Sequence, residues 1–317
     1  MQSLYPELHP YRDFYFSVGG GHELYVELSG NPNGEPVLVV HGGPGGGCSP
    51  TSRRFFDASY YHIIMVDQRG AGKSKPHASL EYNTTDFLIE DFELLRQHLD
   101  IDSWMLFGGS WGSTLSLLYA QAYPEHVSAM ILRGIFLGRQ EDMQWLFETG
   151  GASRVFADYW LSYVDKVPVD QRGSLVDYYY QVLTGDNDLQ RAMAAKAWAM
   201  WEAKISTLEP QVFNLDSAAD LHDALAISRI ECHYAKYDCF LSENQILDNM
   251  SAIAHIPGII VHGRYDMVCP MDQAKLLHDQ WPAAELHIVR DAGHSQMEPS
   301  IVDNLVKATR VFAERIA

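Results

Sequence analysis

The sequence predicts an α/β fold: a mostly parallel central sheet, interrupted by an inserted all-helical segment. Three observations lead there. Short continuous apolar runs each end in a glycine-rich or polar turn, amphipathic segments separate them, and one long central stretch has helical patterns with almost no strand-like run. Apolar runs without alternation suit strands buried on both faces, as in a parallel sheet covered by helices.

The elements follow in order. Val37–Val40 runs into HGGPGGG, Ile63–Val66 into DQRGAGKS, Met105–Phe107 into GGSWGS, and Ala129–Leu132 into Arg133-Gly134. Late in the chain Ile259–Val261 leads to HGRYD and Leu286–Val289 to RDAGH. Between them, Phe87–Leu99 and Ser113–Tyr123 carry apolar residues at helical spacing, and Pro124 stops the second. From Arg139 to Leu241 the segments EDMQWLFE, SRVFADYWLSYV, SLVDYYYQVL, DLQRAMAAKAWAMWEAKI and SAADLHDALAISRIECHYAKYD read as helices, punctuated by Gly150-Gly151, Pro168, Gly185 and Pro210. The expected division is one α/β domain from residues 1–138 and 242–317, with a helical cap at residues 139–241.

Charge excludes several functions. Lys and Arg number 23 against 41 Asp and Glu, a net of −18, and protonating all 14 histidines leaves −18 + 14 = −4. Phosphate backbones and anionic membranes need a positive field, so neither nucleic acid nor membrane is an expected partner. Four cysteines in this length are not a disulfide framework. The first residues show no basic start with an apolar core, and no apolar run approaches the ~20 residues that span a bilayer. A soluble, cytoplasmic protein is expected, its oligomeric state left open.

Nucleotide and metal motifs fail on inspection. Gly70-Ala71-Gly72-Lys73-Ser74 resembles the end of a phosphate loop, but position 67 is Asp where glycine is required. In the glycine-dense loop after Val40, the third fingerprint position from Gly43 and Gly45 is Cys48. His22-Glu23 lacks a second histidine, since position 26 is Val. No metal and no cofactor are expected.

What remains is nucleophilic chemistry. Gly108-Gly109-Ser110-Trp111-Gly112 matches G-x-S-x-G between a strand and a helix, the sharp turn that lifts a serine hydroxyl clear of a sheet. Such a hydroxyl needs a base, and the base an orienting acid, from loops at the carboxyl ends of strands. Asp266 and His294 follow the last two predicted strands in the chain order Ser, Asp, His of α/β-hydrolases. His41 and His262 also end strands and read as hydrogen-bonded structural residues. For the oxyanion the N–H groups of Trp111 and Gly43 are expected donors. Cys48 and Cys269 are expected at the pocket rim.

HGGPGGG, DQRGAGKS, GGSWGS, LRGIF, HGRYD and AGHS, in this order, resemble the proline iminopeptidase (prolyl aminopeptidase) family of serine exopeptidases. The likeness runs nearly end to end and includes WEAKIS and RIECHY in the helical stretch. It implies release of N-terminal proline from peptides through an acyl-enzyme on Ser110, with Asp266 and His294 completing the triad. It further implies that Glu202 and Glu231 bind the free amine, that Arg133 supports this acidic cluster, and that Phe136 lines the ring pocket. Physical chemistry agrees with that transfer. A secondary ammonium beside an apolar ring needs one or two carboxylates to offset its desolvation, in an aromatic slot. One departure stands out: Trp145-Leu146-Phe147-Glu148 occupies a stretch where the family shows two tyrosine hydroxyls. Two other readings stay open at this point: a small-acyl esterase or amidase of the same fold, and a non-catalytic binding protein built on it.

Overall fold

The computed structural model describes residues 1–212, 215 and 217–316 of the chain. Its sheet contains β1 (Arg12–Gly19), β2 (His22–Gly30), β3 (Glu35–Val40), β4 (Tyr61–Val66), β5 (Trp104–Ser110), β6 (Val127–Ile135), β7 (Gly258–Gly263) and β8 (Ala284–Val289). Their spatial order is β1-β2-β4-β3-β5-β6-β7-β8. All six apolar runs become strands, and from β4 to β8 every pairing is parallel, with Val37 opposite Ile63 and Met105, and Ile260 opposite Leu132 and Leu286.

The first two strands are an addition to the sequence reading. They pair antiparallel with each other, and β2 pairs antiparallel with β4. RDFYFSVG alternates exposed and half-buried positions at the sheet edge, so it lacks the continuous apolar run that marks a doubly covered strand. Gly20 and Gly21, both at positive φ, turn the chain between the two.

Ten α-helices lie among the described residues: α1 (Thr85–His98), α2 (Trp111–Ala122), α3 (Gln140–Phe147), α4 (Ala157–Val164), α5 (Leu175–Thr184), α6 (Asp188–Ile205), α7 (Ala218–Lys236), α8 (Gln245–Asp248), α9 (Met271–Asp279) and α10 (Pro299–Ile316). The pleat sends alternate residues of each central strand to opposite faces. Leu38, Val40, Ile64, Leu106 and Leu132 pack with α1, α2 and α9 on one face. Val37, Val39, Ile63, Met105 and Ile131 meet α10 on the other.

The stretch between β6 and α8 is helical, as expected, and its core is aromatic. Phe147 stacks on Trp198 at 4.4 Å between ring centroids, Tyr163 on Tyr179 at 4.6 Å, and Trp160 meets Trp201 edge-on at 4.9 Å. Each such pair contributes about 0.5–1.5 kcal/mol beyond its buried area. Asn187 caps α6 by accepting from the Gln190 N–H at 3.0 Å, and a reciprocal Ser217–Asp220 box opens α7. This aromatic cluster is continuous with the α1/α2 face of the sheet, so the helices sit as a roof over the strand ends. Among the described residues no helix is long and apolar enough to cross a membrane.

Candidate active site

Ser110 is the last residue of β5 and the cap of α2, and it is held at φ 57° and ψ −132°. A non-glycine residue in that region is strained and persists only where its surroundings over-determine it. The packing of α2 supplies this constraint. A Cβ on Gly112 would lie 2.1 Å from the Val40 carbonyl oxygen, so glycine is what lets the helix start directly against β3. Ser113 Oγ donates to the Ser110 carbonyl at 2.7 Å and accepts from the Phe136 N–H at 3.2 Å, tying the turn to the end of β6.

Asp266 and His294 come together from the loops after β7 and β8. His294 Nδ1 lies 2.7 Å from Asp266 Oδ2, and both residues are buried. The other carboxylate oxygen of Asp266 accepts from the backbone N–H groups of Cys269 at 2.8 Å and Val268 at 3.1 Å. Burial alone raises the pKa of this carboxyl. The adjacent His294 ring and the backbone donors outweigh burial and hold it below the usual carboxylate value. That arrangement fixes His294 with its Nδ1 turned to the acid, leaving Nε2 for chemistry. Gly134, at φ +52°, backs the pair: a Cβ there would sit 2.9 Å from His294 Cε1. Arg133 Nη1 donates to the His294 carbonyl oxygen at 2.5 Å, pinning the loop from the opposite side.

Ser110 and His294 line one cavity of about 280 Å³ together with Gly42, Gly43, Arg133 and Glu202. Gly43 approaches from the loop after β3, at φ +108°. Gln68, in the loop after β4, organises this side of the cavity. Its side chain donates to the His41 carbonyl at 2.8 Å and accepts from Trp111 Nε1 at 3.0 Å, while its backbone N–H donates to His41 Nε2 at 2.9 Å. One buried amide thus ties the start of the glycine loop to the Trp111 indole. Trp111, as the first residue of α2, carries a backbone N–H that no preceding helical turn can satisfy.

A narrower slot opens from the same serine beneath the helical roof. Ser110, Gly43 and Glu202 belong to both spaces, and the slot adds Phe136, Phe147 and Glu231. Glu231 is buried, and Trp198 Nε1 donates to its Oε2 at 2.6 Å. Burial, reinforced by the neighbouring Glu202 carboxylate, raises its pKa well above the ordinary glutamate value despite the indole bond. Glu202 Oε2 is buried without a hydrogen-bond partner among the described residues. A buried carboxylate oxygen left bare costs on the order of 1–3 kcal/mol or more, so this atom marks a place for an N–H donor. Together, a serine, an oriented histidine and paired acids in an aromatic slot form a constellation for attacking an acyl group next to an amine.

Comparison with known proteins bears on this arrangement. A family model described as the alpha/beta hydrolase fold matches residues 35–299. A probable proline iminopeptidase of Leptolyngbya boryana is 49% identical over 98% of this chain and 97% of its own length. The proline iminopeptidase of Arabidopsis thaliana is 48% identical over 97% of this chain and 81% of its own. The chain belongs to the proline iminopeptidase family. Solved structures match the fold alone. A putative aryl esterase of Burkholderia cenocepacia superposes with a TM-score of 0.65 at 15% identity, covering 96% of this chain and 98% of its own.

Within this family frame, several of the residues singled out from sequence meet around Ser110. Ser110, His294, Gly43, Arg133 and Glu202 meet in the larger cavity, and Ser110, Phe136, Glu202 and Glu231 in the slot. His262 is structural: it accepts from the Ile135 N–H at 3.1 Å and lies 2.9 Å from the Cys269 carbonyl. His41 is likewise occupied by Gln68 and by the Gly42 carbonyl. The two cysteines part company. Cys269 lines the slot, whereas Cys48 bonds to the Val66 carbonyl and faces a separate cavity on the far side of the glycine loop, which corrects the expectation for it. Leu146 and Phe147, the departure from the family pattern, both fall on the slot wall. Sequence reasoning passed over Gln68, Gly134 and the bonding role of Trp198. Only the DQRGAGKS and LRGIF motifs and the placement of Trp198 four positions before Glu202 hinted at them.

Proposed function

We propose that this chain is a serine exopeptidase that releases N-terminal proline from peptides through an acyl-enzyme. The supporting observation is the bare, buried Oε2 of Glu202, paired with Glu231 in an aromatic slot that begins at Ser110. Peptide substrates accord with the names of the curated relatives. A prolyl ammonium offers two N–H donors, matching two acids, and its apolar ring suits the walls of Phe136 and Phe147. The catalytic domain is assigned to residues 1–138 and 242–317, the cap to 139–241, and the location to the cytoplasm.

In this reading Ser110 Oγ attacks the prolyl carbonyl carbon while His294 Nε2 takes the hydroxyl proton. Asp266 holds the imidazole and stabilises its positive charge. The carbonyl oxygen becomes an anion that the Gly43 and Trp111 N–H groups receive. Collapse of the intermediate expels the peptide amine, which takes the proton from His294. Water, deprotonated by the same ring, then hydrolyses the prolyl ester and restores the serine. Arg133 acts by positioning the His294 loop and by compensating the acids nearby.

A panel of aminoacyl amides tests the reading: prolyl, N-acetylprolyl, alanyl and leucyl. Turnover is expected to be fastest on free prolyl amide and to vanish when its nitrogen is acetylated. Equal turnover of free and acetylated forms would return the chain to the esterase or amidase reading.

A further inference from the structure

A second cavity, of about 320 Å³, opens on the cap between α4 and α6, away from the slot. Met193, Ala197, Met200 and Trp201 of α6 supply its apolar floor, and Tyr159 of α4 faces them. The helix repeat explains the stripe: positions 193, 197, 200, 201 and 204 recur every three or four residues. Trp198 and Glu202 project from the other side of the same helix, toward the slot.

Its charge is anomalous for this protein. The chain carries 41 acids to 23 bases, yet Lys166, Lys196 and Lys204 line the groove and no acid does. Lys204 Nζ sits 5.1 Å from the Tyr159 ring centroid, over the apolar wall. Among the described residues neither Lys166 nor Lys204 has an ion-pair partner. Leu189, one turn before Met193 on α6, is 71% exposed. Apolar floor with cationic rim is the complement of an anion that carries a hydrocarbon tail. The volume lies at the lower end of ligand pockets, about 300–1,000 Å³, which suits one aliphatic chain rather than a two-chain lipid. A net charge of −18 also repels an anionic bilayer, whereas a single small anion meets the local lysines.

We propose that this groove binds long-chain aliphatic carboxylates, the tail lying along Met193, Ala197, Met200 and Trp201 and the carboxylate paired with a rim lysine, Lys166 or Lys204. The site is distinct from the slot and needs no chemistry there.

Calorimetric titration of the full chain with decanoate, below the concentration at which it forms micelles, tests this. Saturable binding of one decanoate is expected, about fourfold tighter for each methylene that becomes buried on going from octanoate to decanoate. A Lys166→Gln/Lys204→Gln variant is expected to bind at least about tenfold more weakly, as is the neutral analogue decanol to the unaltered protein. Ala197→Trp fills the groove floor and is expected to abolish binding. Both variants should retain prolyl-amide turnover and the unaltered Tm, and should Ala197→Trp fail to fold, the lysine variant decides alone. Absence of saturable heat overturns the proposal, as does decanoate binding that the lysine variant leaves unchanged. Adsorption to phosphatidylglycerol vesicles without saturable decanoate binding would assign the face to a bilayer and equally overturn it.

Discussion

Asp266 and Glu231 are both buried acids near Ser110, one at a strand end and one on a cap helix, and their surroundings push them in opposite directions. Asp266 faces a histidine and two backbone donors, and its pKa falls. Glu231 is buried and faces a second carboxylate, and its pKa rises despite the bond from a single indole. The sheet region therefore provides a charge that is already compensated and does not need the substrate. The cap provides acids whose compensation is incomplete until a cation arrives. In the proposed reading, groups that run every turnover are fixed by backbone bonds at strand ends, whereas groups that choose the substrate wait on helices for their missing partner.

Substitutions can break this contrast, beginning with the largest effect. Ser110→Ala is expected to lower kcat by about 10⁶-fold, and Asp266→Asn by about 10⁴-fold, on prolyl amide and on a small neutral ester alike. Steady-state kinetics on both substrates checks this, and an Asp266→Asn loss confined to the prolyl substrate would erase the distinction between the two acids. Glu202→Gln and Glu231→Gln are expected to reduce kcat/KM for prolyl amide by about 10²–10³-fold while leaving the neutral ester within a few-fold. Equal losses on the two substrates would remove amine recognition from the cap.

Smaller effects sharpen the comparison. Gly134→Ala places a Cβ 2.9 Å from His294 Cε1 at a backbone φ of +52°. It is expected to cost about 1–3 kcal/mol of stability and up to about 10²-fold in kcat, with KM little changed. Thermal unfolding with kinetics reads both, and unchanged kcat would show that the ring tolerates displacement.

The smallest effect is a pH dependence. Glu231 holds its proton more tightly in the folded chain than in the unfolded one. Its contribution to stability is therefore full below the ordinary glutamate pKa and is lost as pH rises through the elevated native value. Glu231→Gln removes that loss. The Tm of the variant minus that of the unaltered protein should climb as pH rises above the ordinary glutamate range, and a flat difference would contradict the raised pKa.

Much of this was legible in the linear chain. Five of the six apolar runs, Val37–Val40, Ile63–Val66, Met105–Phe107, Ala129–Leu132 and Ile259–Val261, lie in strands and are buried throughout, because hydrophobicity on both faces leaves no alternation to misread. Ser110 was found because its turn needs glycine at fixed offsets, and Asp266 and His294 because parallel sheets present their loops at strand carboxyl ends. The edge hairpin Arg12–Gly30 was not found, since a half-solvated strand has a weaker signature. Gln68 was missed for a different reason: a buried amide bridging two loops leaves no periodic trace.

Local physics in the chain determined the strand and helix types, the nucleophilic turn and the acidic balance of the surface, because each depends on neighbours within a few positions. Tertiary packing alone decided that Glu202 and Glu231, 231 − 202 = 29 positions apart, share one slot, and that one is left with a bare oxygen. It also decided that Trp198 bonds the second acid and that Gln68 ties His41 to the Trp111 indole. Burial and proximity between distant segments set a carboxyl's charge, and neither is a property of a residue in its own sequence window.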